Sequence, residues 1–362
     1  MLHGGDIYSV FEKDPGAREN LVDFSANISP LGIPEPVRRA VIDGLDHALH
    51  YPDPQSRALK DGICRFFEET YGVTLSRGMI VCGNGAADVI YRLVLAKRPR
   101  RALLCAPTFA EYEEALKLSG TCLDFYRCPK ASLEVEGDIL DQIVSDIDMM
   151  FLCNPNNPTG LLTDPDLVGR IIEKTRTEGV FLVVDECFLD FCKAEQTHSV
   201  IPLLSQNKHI LVLKSFTKMY GMAGIRLGYG LCRDDELICR MHQCGQAWPV
   251  STAATDAGMA ALKLTEHAGQ VKDYVANERE YLFEALSRLN IHFLKSQVNY
   301  ILFRMPGPAD FYDQMAKRGF LVRRCANYHG LDETYYRMAV NKHKDNTGFI
   351  NALQDIIREV SV

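Results

Sequence analysis

From about residue 58 to about residue 250, short apolar runs alternate with stretches of helical periodicity. The runs are Met79–Cys82, Ala102–Cys105, Thr121–Phe125, Met149–Cys153, Val180–Asp185, His209–Lys214 and Leu227–Cys232. Each is short and bounded by turn formers, which predicts a strand. Between them Asp88–Ala96, Ala110–Ser119 and Asp164–Thr177 read as amphipathic helices. Such alternation implies an α/β fold with a mainly parallel sheet and crossover helices. In open sheets of this kind ligands bind beyond the carboxyl ends of the strands, where the polar motifs of this chain also fall. The first fifty residues are less regular. Asp23–Gly32 is dense in turn formers and reads as an ordered arm, and Pro34 to Leu49 as a helix stopped by His50-Tyr-Pro-Asp-Pro54. After a linker at Trp248–Ser251 come helices to about residue 290, then a smaller unit of strand, helix and strand.

Composition narrows the classes. With 47% apolar and 24% charged residues, 362 residues can bury a full core and hold a large domain beside a smaller one. A formal net charge of −7, with no long basic block, argues against a nucleic-acid partner. No apolar run is long enough to span a membrane, and Met1-Leu-His-Gly-Gly-Asp6 has no secretory pattern, so a cytoplasmic protein without membrane attachment is expected. The twelve cysteines include no C-x-x-C pair and no zinc spacing, so they read as reduced thiols and no metal is expected.

The stretch Ser215-Phe-Thr-Lys-Met-Tyr-Gly-Met-Ala-Gly-Ile-Arg226 sets Lys218 among hydroxyls and small residues. That pattern suits a Schiff-base lysine binding an aldehyde cofactor that also carries a phosphate. Ser215 and Thr217 can donate to phosphate oxygens, and Arg226 can clamp the same group. Gly83-Asn-Gly-Ala-Ala-Asp88 opens a helix with free backbone N–H groups, which suits a phosphate. It is not G-x-G-x-x-G, so a dinucleotide is disfavoured; alone it fits a tight strand-to-helix turn equally well. Phe109 can stack on a flat ring or simply pack in the core. In Asn154-Pro-Asn-Asn-Pro-Thr-Gly160 two prolines fix a strand end from which an amide can donate to a phenolate oxygen. Asp185 closes an apolar strand; buried there it needs a cation such as a protonated pyridine nitrogen, unless it caps a helix. Arg323 and Arg337 lie beside strand-like runs, as receptors for a doubly charged substrate group or as solvated surface.

Together Asn154–Gly160, Asp185 and Ser215–Arg226 resemble, over nearly the whole chain, the pyridoxal 5'-phosphate (PLP) enzymes of aminotransferase fold type I, class I/II. Within that group the chain is similar to histidinol-phosphate aminotransferases and, more closely, to threonine-phosphate decarboxylases of cobalamin synthesis. The closer similarity rests on His3-Gly-Gly5, Asp23–Gly32, and Arg323 through Tyr336 with its Cys-Ala-Asn-Tyr and Gly-Leu-Asp. The resemblance implies a seven-stranded sheet in a large domain and a smaller α+β C-terminal domain. The implied division is an arm and helix at 1–50, a PLP-binding domain at 51–250, and connecting helices with the small domain at 251–362.

Lys218 would then carry the cofactor aldehyde, Asp185 pair with the pyridine nitrogen, Asn157 meet the phenolic oxygen and Phe109 stack on the ring. The phosphate would lie among Gly85, Ala86, Ala87, Ser215, Thr217 and Arg226, with Tyr51 reaching it from the second subunit of a homodimer with shared active sites. His3, Gly4, Asn27, Asn157, Arg323 and Arg337 would contact a small phosphorylated amino acid. The implied reaction is decarboxylation of L-threonine O-3-phosphate to (R)-1-amino-2-propanol phosphate, with a histidinol-phosphate or related aminotransferase as the alternative. One position separates the two. Histidinol-phosphate aminotransferases usually carry a tyrosine three residues after the pyridine aspartate; Phe188 stands there, as in the decarboxylases, which raises the expected pKa of the lysine-bound cofactor.

Overall fold

The computed structural model describes residues 3–13, 16, 20–193 and 195–360. Its main sheet has seven strands, ordered across the sheet as Ile80–Gly83, Gly228–Cys232, Ile210–Ser215, Phe181–Asp185, Met149–Cys153, Arg101–Ala106 and Cys122–Arg127. All are parallel except Gly228–Cys232, which runs antiparallel to both its neighbours. Every residue of Ile80–Gly83, Met149–Cys153, Phe181–Asp185 and Ile210–Ser215 is buried. That is why these strands read as unbroken apolar runs with no polar alternation. Helices cover both faces, and their ends follow local chemistry. Asp164 caps Pro165–Glu178 by accepting from the Leu167 N–H at 3.0 Å, and Gly179 ends it at φ 75°.

The parallel strands share a direction, so Gly83, Ser215, Asp185, Cys153 and Ala106 finish along one edge. Gly228 lies in register with both Ser215 and Gly83 at that edge. A Cβ on Gly228 would stand 2.7 Å from the Gly85 carbonyl carbon and collide with the Ala86 nitrogen. The bare backbone is what lets the helix Gly85–Lys97 start so close to the lysine strand.

A second, antiparallel sheet orders Arg323–Arg324, Tyr335–Ala339, Tyr300–Arg304 and His292–Phe293. The N-terminal arm belongs with this smaller unit. Val22–Asp23 pairs with Phe320–Leu321, the Ala339 N–H donates to the Phe24 carbonyl at 2.8 Å, and the buried Phe24 ring lies 4.6 Å from Phe349. Two elements escaped the periodicity. A short helix, Tyr8–Lys13, interrupts the irregular N-terminus, and His343–Val360 closes the chain. Asp23–Gly32 starts with the second residue of the strand Val22–Asp23 and holds no other regular element, and the Pro34 helix spans Glu35–Asp43 before a 3-10 turn at Gly44–His47. No helix among the described residues is long and apolar enough to cross a membrane.

Candidate active site

Lys218 follows the strand Ile210–Ser215 at the sheet's carboxyl edge. Its amine donates to Thr217 Oγ1 at 2.7 Å and sits 5.6 Å from the centre of the Phe188 ring. Burial pushes its pKa below that of a free lysine, and the Arg226 and Arg337 charges push the same way, against Cys187 and Asp185. The arm roofs this loop: the Ser29 N–H donates to the Lys218 carbonyl at 2.9 Å. Gly221, at φ 63°, passes so near the arm that a Cβ would stand 2.5 Å from the Gly32 carbonyl carbon.

The residues expected to hold a phosphate lie on the neighbouring strand ends and helix start. Ser215 Oγ and Thr217 Oγ1 are 2.7 Å apart, and the N-cap residue Asn84 makes no side-chain bond to the first turn of the helix Gly85–Lys97. The N–H groups of Gly85, Ala86 and Ala87 are therefore not capped by Asn84. Arg226, in the left-handed region at φ 62°, lays its guanidinium over Gly85, itself at φ 79°, where a Cβ would collide with Nη2. Hydroxyls, helix N–H groups and a guanidinium are the donor types a phosphate monoester takes.

Asp185 ends the central strand, buried. It accepts from the Tyr112 hydroxyl at 2.5 Å and from the Cys187 N–H at 2.9 Å, both neutral donors. Burial and the adjacent Asp185 charge raise the Tyr112 pKa, so this hydroxyl stays a donor. Asp185 forms no ion pair among the described residues, and a buried carboxylate in that position fits a pyridinium nitrogen. Phe109 lies at the start of the helix Ala110–Leu118, its ring edge-on to Tyr112 at 5.6 Å.

Of the three asparagines in Asn154–Gly160, two bond within or beside the loop, though the Asn154 amide nitrogen is buried without a partner. Asn154 Oδ1 accepts from the Thr163 N–H at 2.9 Å, and the Asn156 amide donates to the Pro107 carbonyl and to Thr159, each at 3.0 Å. Asn157 instead faces the small unit: its Oδ1 accepts from Arg337 Nη1 and, at 3.5 Å, from the Tyr328 hydroxyl. Neither of those bonds uses its amide nitrogen, which is the donor a phenolic oxygen requires.

Arg323 and Arg337 are buried rather than solvated, 3% and 5% exposed, and face each other in register on adjacent strands. Arg337 also donates to the Ser25 carbonyl at 3.0 Å and lies over the Tyr300 ring; Arg323 donates to Asn327 Oδ1 at 2.8 Å and lies over Tyr328. Gly4 packs on Ser25 with no room for a Cβ, and Asn27 Oδ1 is buried without a partner. His3 pairs with Glu111 at 2.7 Å. Tyr51 stands apart from this constellation, 79% exposed and stacked on Trp248 at 4.2 Å. Sequence reasoning had overlooked Tyr112, Tyr328 and Glu111. Tyr112 alone had a local signal, its three-residue spacing from Phe109.

The family model for aminotransferases of class I and II matches residues 19–353. The chain belongs to that family, and its cofactor is pyridoxal 5'-phosphate. Among the family's members, a threonine-phosphate decarboxylase of Salmonella typhimurium is 34% identical, over 99% of this chain and 97% of its own. A histidinol-phosphate aminotransferase of Methanosphaera stadtmanae is 30% identical over 94% of this chain and 92% of its own. Among solved structures, the histidinol-phosphate aminotransferase of Clostridium acetobutylicum superposes with a TM-score of 0.86 at 26% identity, covering 94% of this chain and 100% of that one.

Proposed function

We propose that the chain decarboxylates L-threonine O-3-phosphate to (R)-1-amino-2-propanol phosphate in cobalamin biosynthesis, as a cytoplasmic homodimer with shared active sites. The observation that carries this reading is the buried pair Arg323 and Arg337. Two guanidiniums held opposite each other repel, and a dianionic phosphate in the cleft offsets that repulsion. Phe188 supports the same reading, since it leaves the phenolic oxygen to Asn157 without a tyrosine donor at that position. The working division is a cofactor domain at 51–250, closed over by residues 1–50 and 251–362.

Pyridoxal phosphate, when bound, supplies an electron sink that stabilises the negative charge left on Cα when a bond there breaks. The chain decides which bond that is. Arg323 and Arg337 would grip the substrate phosphate and so leave the substrate carboxylate free of both guanidiniums. Asp185 would hold the pyridine nitrogen of the cofactor, with the Tyr112 hydroxyl fixing the orientation of the carboxylate. The Lys218 amine, its pKa lowered by burial, is placed to return a proton to Cα after carbon dioxide leaves. The arm residues Ser29 and Gly32, packed on the lysine loop, keep water away from that carbon.

The test is to incubate the cofactor-loaded enzyme with L-threonine O-3-phosphate alone and measure carbon dioxide, with L-serine O-phosphate in parallel. Release without any keto acid is expected. Absence of release, with a change to pyridoxamine absorbance on adding histidinol phosphate or glutamate, would instead establish an aminotransferase.

A further inference from the structure

We propose that Glu111 and Glu113 are positioning residues that fasten the N-terminal arm and the 325–331 loop over the substrate, through His3 and His329 respectively. This rests on the reading above, in which His3 and Arg323 face the substrate.

Both glutamates lie in the first turn of the helix Ala110–Leu118, immediately after Phe109, where the helix dipole favours carboxylates. Glu111 accepts from His3 Nε2 at 2.7 Å and from the hydroxyl of Tyr91, which lies on the helix Gly85–Lys97. Glu113 meets His329 Nε2 at 3.0 Å and is backed by Lys117 at 2.7 Å. One short helix of the cofactor domain therefore grips two separate covering segments.

What each histidine leads to gives the contacts their consequence. Next to His3, Gly4 packs on the Ser25 carbonyl that Arg337 holds, and the Gly5 N–H donates to Ser25 Oγ at 2.7 Å. On the other side, His329 packs on Phe125 at 4.3 Å and directly follows Asn327 and Tyr328. Asn327 orients Arg323, and Tyr328 reaches Asn157. Fastening His3 thus sets the arm beside Arg337; fastening His329 sets the loop that aims Arg323. The histidines are 44% and 43% exposed and their glutamates 17% and 18%, so each pair can part and re-form with little effect on global stability.

The test uses holoenzyme variants Glu111→Gln and Glu113→Gln, which keep size while removing charge. For each, KM for L-threonine O-3-phosphate should rise about threefold to tenfold with kcat within about twofold. Cofactor absorbance and melting temperature should not move. Amide hydrogen exchange provides a readout that needs no turnover. It should quicken in residues 3–13 for the Glu111 variant and in 325–331 for the Glu113 variant. Unchanged or uniformly faster exchange in both variants would overturn the proposal. If the wild-type enzyme does not turn over the substrate at all, the functional reading fails and the exchange pattern alone decides the fastening.

Discussion

At Lys218, Asp185 and Tyr112 the chemistry rests on single atoms. On the proposed reading, replacing Lys218 with alanine removes both the cofactor anchor and the proton carrier, so carbon dioxide release should fall by roughly three orders of magnitude or more while the fold persists. Circular dichroism beside the turnover assay would check this. Tyr112→Phe removes one donor from a buried carboxylate and should lower kcat/KM about tenfold. A titration of stability isolates a third residue, Glu186. It follows Asp185, buried, and accepts from the Ser199 hydroxyl and the Val200 N–H. Burial raises its pKa from 4.5 to about 7, against the nearby Lys214 charge. Between those values the folded state holds a proton that the unfolded chain has released, so stability falls as pH rises. The loss should be roughly 3 kcal/mol across that interval. Urea unfolding at a series of pH values should show this slope, and Glu186→Gln should flatten it.

The inner strands were legible because burial on both faces demands continuous apolar side chains, and a run such as Phe181–Asp185 admits little else. The helix Tyr8–Lys13 was not, since six residues give no room for a periodicity, and all are at least partly exposed. Where two elements nearly touch, glycine is a structural requirement. Gly228→Ala would drive a Cβ into the backbone at Gly85 and Ala86, displacing the first turn that faces the phosphate. Cofactor affinity should weaken about tenfold to a hundredfold with the strand itself intact, as measured by absorbance titration of the apoenzyme.

For the whole molecule, Tyr51 at 79% exposure and Leu49 at 88% lie within a few residues of each other, and Tyr51 stacks on Trp248. A lone chain seldom leaves such side chains in water, and a second copy covering them fits the proposed homodimer. Inactive Lys218→Ala subunits mixed with Tyr51→Ala subunits should then regain activity above the sum of the two. Each hybrid dimer carries one site with both native residues, and re-equilibrated mixtures assayed for carbon dioxide would reveal it.

The order of the sheet strands along the chain follows from sequence alone, and Lys218 and Asp185 stand out there as candidates for a cofactor lysine and a pyridine-pairing acid, because strand burial and a strand-end acid leave local marks. The sequence also held Arg323 and Arg337, as receptors beside apolar runs or as solvated surface. Only the tertiary structure decided between these, by setting the two in register on neighbouring strands beneath the arm. The same holds for the pairing of His3 and His329 with one helix. Those contacts join residues far apart in the chain, and a side chain's partner across such a separation is set by packing, which no local pattern records.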